Sequence, residues 1–147
     1  MFDSRTVMLL AALITLAGCS DKKIFSLASC SIDSVNDSGD LIVAMKSNDI
    51  LKIAGWAVDD YSKQAPETIT INLVSSTGAV SKITEGKLTV VRPDVSAALN
   101  MPSITNAGFG LSAQLESPAP GTYEIQILQH FSDRILVCKS PKSVRID

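Results

Sequence analysis

Thr68-Ile-Thr-Ile-Asn-Leu73 alternates strictly between polar and apolar side chains, a period of two that belongs to an extended strand with one buried face. The pattern recurs with Phe109, Leu111, Ala113 and Leu115 set against Gly110, Ser112 and Gln114. It recurs again with Tyr123, Ile125 and Ile127 against Glu124 and Gln126. Apolar runs at Leu41–Met45, Ile50–Val58, Ala79–Ile83, Lys87–Val91 and Arg134–Cys138 bring the expected count to seven or eight strands.

The breaks between these runs are short. Lys46-Ser-Asn-Asp49 predicts a hairpin between the Leu41 and Ile50 strands, and Ser75-Ser-Thr-Gly78 predicts a turn. Pro118-Ala-Pro-Gly121 ends one strand, and His130-Phe-Ser-Asp133 joins the last two. Pro93, near the start of Arg92–Leu99, predicts one or two helical turns, the only helix expected in the mature chain. Each strand has one apolar face that a second layer must cover. The expected fold is therefore all-β, an antiparallel sandwich of two sheets over residues 30–147, with no repeat and no second domain.

Charge narrows the partners. The 147 residues carry 13 Lys+Arg against 15 Asp+Glu, with no long run of like charge, so the basic footprint of a nucleic-acid binder is missing. A hydrophobic content of 46% is too high for a disordered chain.

Before the first strand, Arg5 precedes the apolar stretch Val7–Ala17, which at about 11 residues is too short to cross a bilayer and reads as an export signal. It runs into Leu16-Ala17-Gly18-Cys19, which resembles the lipobox of bacterial lipoproteins. The resemblance implies cleavage after residue 18, diacylglycerol on the Cys19 sulfur and acylation of the new amino terminus. Such a chain is anchored to a membrane without spanning it. Ser20 resembles the residue that sorts enterobacterial lipoproteins to the outer membrane. Residues 19–29 are expected to form a short tether, in which Lys22-Lys23 reads as a solvated pair in preference to one that touches lipid phosphates.

Setting Cys19 aside leaves Cys30 and Cys138, an even pair in an exported chain, for which a disulfide is the natural assignment. Two cysteines and the sole histidine, His130, supply too few soft ligands for zinc, and no cofactor is expected.

Few residues suggest chemistry. His130, Ser132 and Asp133 are hydrolase residue types, but neighbours on one turn cannot converge as a triad, so an exposed hairpin tip is expected. Asp59, Asp60 and Asp94 could gather as a carboxylate cluster; pairing of Asp59 or Asp60 with Arg92 is the favoured expectation. Asn36-Asp-Ser-Gly-Asp40 lacks calcium-loop spacing and reads as a turn. Trp56 shares a strand face with Lys52 and Ala54, opposite Leu51, Ile53 and Ala57, so alternation points it outward. Its bulk and usual burial favour core filling. Facing outward near Tyr61, it would make a contact patch with Asp59 and Asp60 for a sugar or a protein.

Taken in order, Gly55-Trp-Ala-Val-Asp59, Pro66–Asn72, Arg92-Pro-Asp-Val95, Gly108-Phe-Gly-Leu111 and Gly121–Ile127 resemble an immunoglobulin-like β-sandwich module of bacterial cell-surface and glycan-handling proteins. That resemblance covers Leu51 to about Leu128 and implies a fold more than an activity. The functional expectation is a non-enzymatic, membrane-anchored module that binds an envelope protein complex or glycan. The alternatives are a glycan-active hydrolase using Asp59, Asp60 and Asp94, and a protective lipoprotein that occludes a surface receptor.

Overall fold

The computed structural model describes residues 21–26 and 29–147, so Cys19 and the preceding export signal lie outside it. The chain forms strands β1 (Lys23–Phe25), β2 (Ser29–Val35), β3 (Ile42–Met45), β4 (Ile50–Val58), β5 (Thr68–Ser75), β6 (Val80–Gly86) and β7 (Val90–Val91). Helix α1 (Pro93–Ala98) follows, then β8 (Asn106–Gln114), β9 (Gly121–His130) and β10 (Arg134–Ile146). Among the described residues ten strands replace the seven or eight expected, and the one short helix found there lies where Pro93 predicts it.

The strands build two sheets. One has the order β1-β10-β9-β5-β6, with β3 also paired to β10; the other has the order β2-β4-β8-β7. Most pairings are antiparallel, but β1 and β3 both run parallel to β10. Two local expectations are corrected here. The Leu41 and Ile50 strands do not form a hairpin: β3 joins β10, while β4 lies between β2 and β8 in the opposite sheet. The Lys46–Asp49 turn, closed by the Asp49 N–H donating to the Lys46 carbonyl at 3.1 Å, carries the chain across the sandwich. Residues expected to be free tether also include a strand, with Lys23, Ile24 and Phe25 in register with Arg134, Ile135 and Leu136.

The inward faces follow the alternation. Ile69, Ile71, Leu73, Ile125, Ile127, Leu51, Ile53, Phe109 and Leu115 meet in one core between the sheets. Burial of this apolar surface is the main term holding the layers together. Cys30 on β2 and Cys138 on β10 form a disulfide between the two sheets, their Cα atoms 6.3 Å apart. Beside them Gly55 has no room for a side chain: a Cβ would stand 2.1 Å from the Ser31 carbonyl oxygen, where β2 bulges against β4.

A second, smaller core lies outside the sandwich. Val58, Val95, Met101, Ile104 and Ala107 cluster there, with Trp56, Ala65 and Leu99 packed around them. Helix α1 and the loop after it thus cover the outer face of β4. After β2, Asn36 and Asp37 turn the chain with φ of 47° and 63°, and Asn36 Oδ1 accepts from the Lys52 N–H at 2.7 Å. The buried Lys142 side chain reaches this turn and donates to the Gly39 and Asp40 carbonyls. The Asn36–Asp40 segment is a turn, as expected.

Candidate functional site

Val58 ends β4 at one end of the sandwich, and Asp59 then organises the loop that follows. The Asp59 N–H donates to the Gln64 carbonyl at 2.8 Å, and the Gln64 N–H donates back at 3.1 Å, closing residues 59–64. Inside that loop Asp59 Oδ1 accepts from the N–H groups of Tyr61 and Ser62, and Oδ2 accepts from Ser62 Oγ at 2.6 Å. This is an Asx turn, in which a short carboxylate takes up amides that would otherwise lack partners.

The remaining acceptor capacity goes to Arg134. Its Nη2 donates to Asp59 Oδ2 at 2.8 Å, to Ser62 Oγ at 2.8 Å and to Gln64 Oε1 at 3.2 Å. The guanidinium also lies 4.3 Å from the Phe131 ring centroid, within cation–π distance. Burial pushes the Asp59 carboxyl up, but the hydrogen bonds from Ser62, Arg134 and the Ser62 and Tyr61 amides outweigh it, holding the group below the usual carboxylate range. Asp59 is therefore an ionised, hydrogen-bonded structural anchor.

The expected partner for Asp59 or Asp60, Arg92, is engaged elsewhere. It bonds both oxygens of Asp94, at 2.9 and 2.7 Å, and Asp33 at 2.6 Å. The hydrogen bonds from Arg92 bring the Asp94 carboxyl down to about 2. Asp59 and Asp94 thus answer to different arginines, and no cluster of three His, Cys, Asp or Glu side chains suited to a metal exists among the described residues. His130 does not join Ser132 and Asp133 in a triad. Its Nε2 lies 2.8 Å from Thr70 Oγ1, while Asp133 pairs with Arg134 Nη1 at 2.7 Å.

The loop locked by Asp59 throws Tyr61 outward, where it is 96% exposed. Asp60, Tyr61 and Ser62 form one wall of an open groove of about 600 Å³, completed by Phe25 of β1 and by Arg134 and Leu136 of β10. Phe25 is 47% exposed and its neighbour Ile24 68%. Apolar surface of this kind is more informative than an isolated exposed side chain, because several such residues sit at one edge.

Trp56 takes no part in this groove. It stands on the outer face of β4, as alternation indicates, but is only partly exposed because the α1 cluster packs against it. Of the four residues expected to form a contact patch, Asp59, Asp60 and Tyr61 are brought together and Trp56 is separated from them. Phe25, Arg134 and Leu136 were not singled out from the sequence. Three residues of β1 are too few to show a period, and Arg134 is far from Asp59 along the chain.

No protein-family model matches the chain, and no curated protein sequence matches it.

Proposed function

We propose that this chain is a non-enzymatic envelope lipoprotein, held at the outer membrane by lipid on Cys19, whose sandwich acts as a binding or accessory module for an envelope protein complex or glycan. The observation that carries this reading is Leu16-Ala17-Gly18-Cys19 at the end of a short apolar run. The Cys30–Cys138 bond fits a chain that matures in an oxidising compartment. Binding is favoured over hydrolysis because the acidic residues best placed for chemistry are committed to arginines, Asp59 to Arg134 and Asp94 to Arg92. The exposed apolar side chains of Tyr61 and Phe25 leave surface at one edge that the domain's own packing does not cover. Anchoring raises the effective concentration of any partner on the same membrane, so a modest contact area suffices.

Fractionation and mass measurement of the mature protein test this reading. Lipid mass on Cys19, loss of membrane association in Cys19→Ala, and recovery of a defined envelope component with the lipidated protein are expected. A mature chain of unmodified mass, equally membrane-bound in Cys19→Ala, overturns it.

A further inference from the structure

We infer that the edge formed by Phe25 and Tyr61, with Ile24 exposed on the other side of β1, rests on the lipid surface of the membrane that holds Cys19, so that the sandwich stands end-on with a fixed orientation. This rests on the anchoring reading above and deepens it. Three residues separate Cys19 from Lys23, the first residue of β1, so the chain between their Cα atoms spans at most ~14 Å. A free tether of ten residues would let the domain tumble. One stitched down at residue 23 by parallel pairing to β10 does not. Lys22 is fixed as well, its Nζ donating to the Phe131 carbonyl at 2.6 Å.

The surface brought to the membrane is suited to the headgroup region. Ile24 and Phe25 are successive strand residues and project to opposite sides of the edge strand, and Tyr61 stands beside Phe25 across the groove. An aromatic ring with one polar tip favours the boundary between hydrocarbon and water. Positive charge at the edge is already engaged: Arg134 pairs with Asp59 and Asp133, and Lys22 donates to the Phe131 carbonyl. Contact is therefore driven by the apolar side chains and depends little on anionic lipid. The turn at residues 75–78 lies at the far end of β5, whose eight residues separate the ends by roughly 25 Å. That end is left facing away from the membrane, free to meet a partner.

The test uses the full lipidated protein in phosphatidylcholine vesicles carrying brominated acyl chains, with and without added phosphatidylglycerol. Tyr61→Trp and Thr77→Trp each add one fluorophore at an exposed site, and Trp56 supplies a common background. Bromine quenching of the Tyr61→Trp signal at least several-fold stronger than that of Thr77→Trp, and unchanged by phosphatidylglycerol, is expected. Equal quenching at the two positions overturns the seating while leaving the anchor intact. So does a Tyr61→Trp signal shielded from both aqueous iodide and bromine, which would place a protein on this edge instead. Absence of lipid on the mature chain removes both readings, and the mass spectrum distinguishes that failure from the others.

Discussion

Arg134 closes onto Asp59 across 75 residues of chain, with Nη2 and Oδ2 2.8 Å apart and both side chains largely shielded from water. The pair fastens the loop that presents Tyr61 to the strand that holds β1. Truncation of either partner leaves the other charge poorly solvated. Asp59→Ala is expected to cost about 2 to 3 kcal/mol in chemical denaturation, a range typical of lost charged hydrogen bonds. A cost within about 0.5 kcal/mol would show that the loop holds without its carboxylate.

Trp56 and Tyr61 make a matched contrast. Trp56→Ala opens a void in the cluster beneath α1 and is expected to destabilise the domain by about 2 to 3 kcal/mol, less than for a fully enclosed Trp. Tyr61→Ala, at a side chain 96% exposed, is expected to change stability by no more than about 0.5 kcal/mol. Thermal melts of the two variants check both, and a reversed order would contradict the packing described.

The Cys30–Cys138 bond closes a loop with a sequence separation of 108 residues and ties one sheet to the other. In the chain-entropy model a loop of this size is worth about 4 to 5 kcal/mol. The double variant Cys30→Ser/Cys138→Ser is expected to lose most of that, visible as a lower denaturant midpoint with an altered slope from a less constrained unfolded chain. An unchanged midpoint after reduction would mean that the strand pairings alone secure the sheets.

His130 gives the fold a dependence on mild acid. Burial holds its imidazole below the ordinary 6.5; Glu85 pulls the other way, and Lys22 and Lys82 add to the depression. Between 6.5 and the lower folded value the unfolded chain binds more protons, so stability rises with pH there. The contribution is complete above 6.5 and is lost as pH falls through the folded value. Melting midpoints should therefore drop from pH 7.5 to pH 5, and His130→Gln should flatten that change. Asp59 adds a separate loss below its ordinary value of 3.8.

The strands were legible where alternation ran long enough to be unmistakable, as in β5, β8 and β9, and Pro93 marked the helix. What alternation cannot give is the identity of the neighbour. β3 and β4 have the sequence of a hairpin, yet a turn of four polar residues serves equally to pass from one sheet to the other. Alternation puts Trp56 on the outer face of β4 where its bulk favours the core, and nothing in Leu51–Val58 announces that residues 93–107 will cover that face. Arg92 and Arg134 are equivalent as sequence partners for Asp59. Only the β9–β10 hairpin, which brings Arg134 to the end of β4, decides between them.

One strand carries an unusual share of this architecture. β10 pairs with β9 on one side and with both β1 and β3 on the other, accommodating Pro141 in a bulge between Lys139 and Ser143. A chain delivered from its amino end therefore cannot complete the larger sheet until residues 134–146 have emerged. β1 and β3 must wait for a strand about a hundred residues further on. Such high contact order makes folding slow and late, so the domain remains threadable until nearly all of its sequence has been delivered.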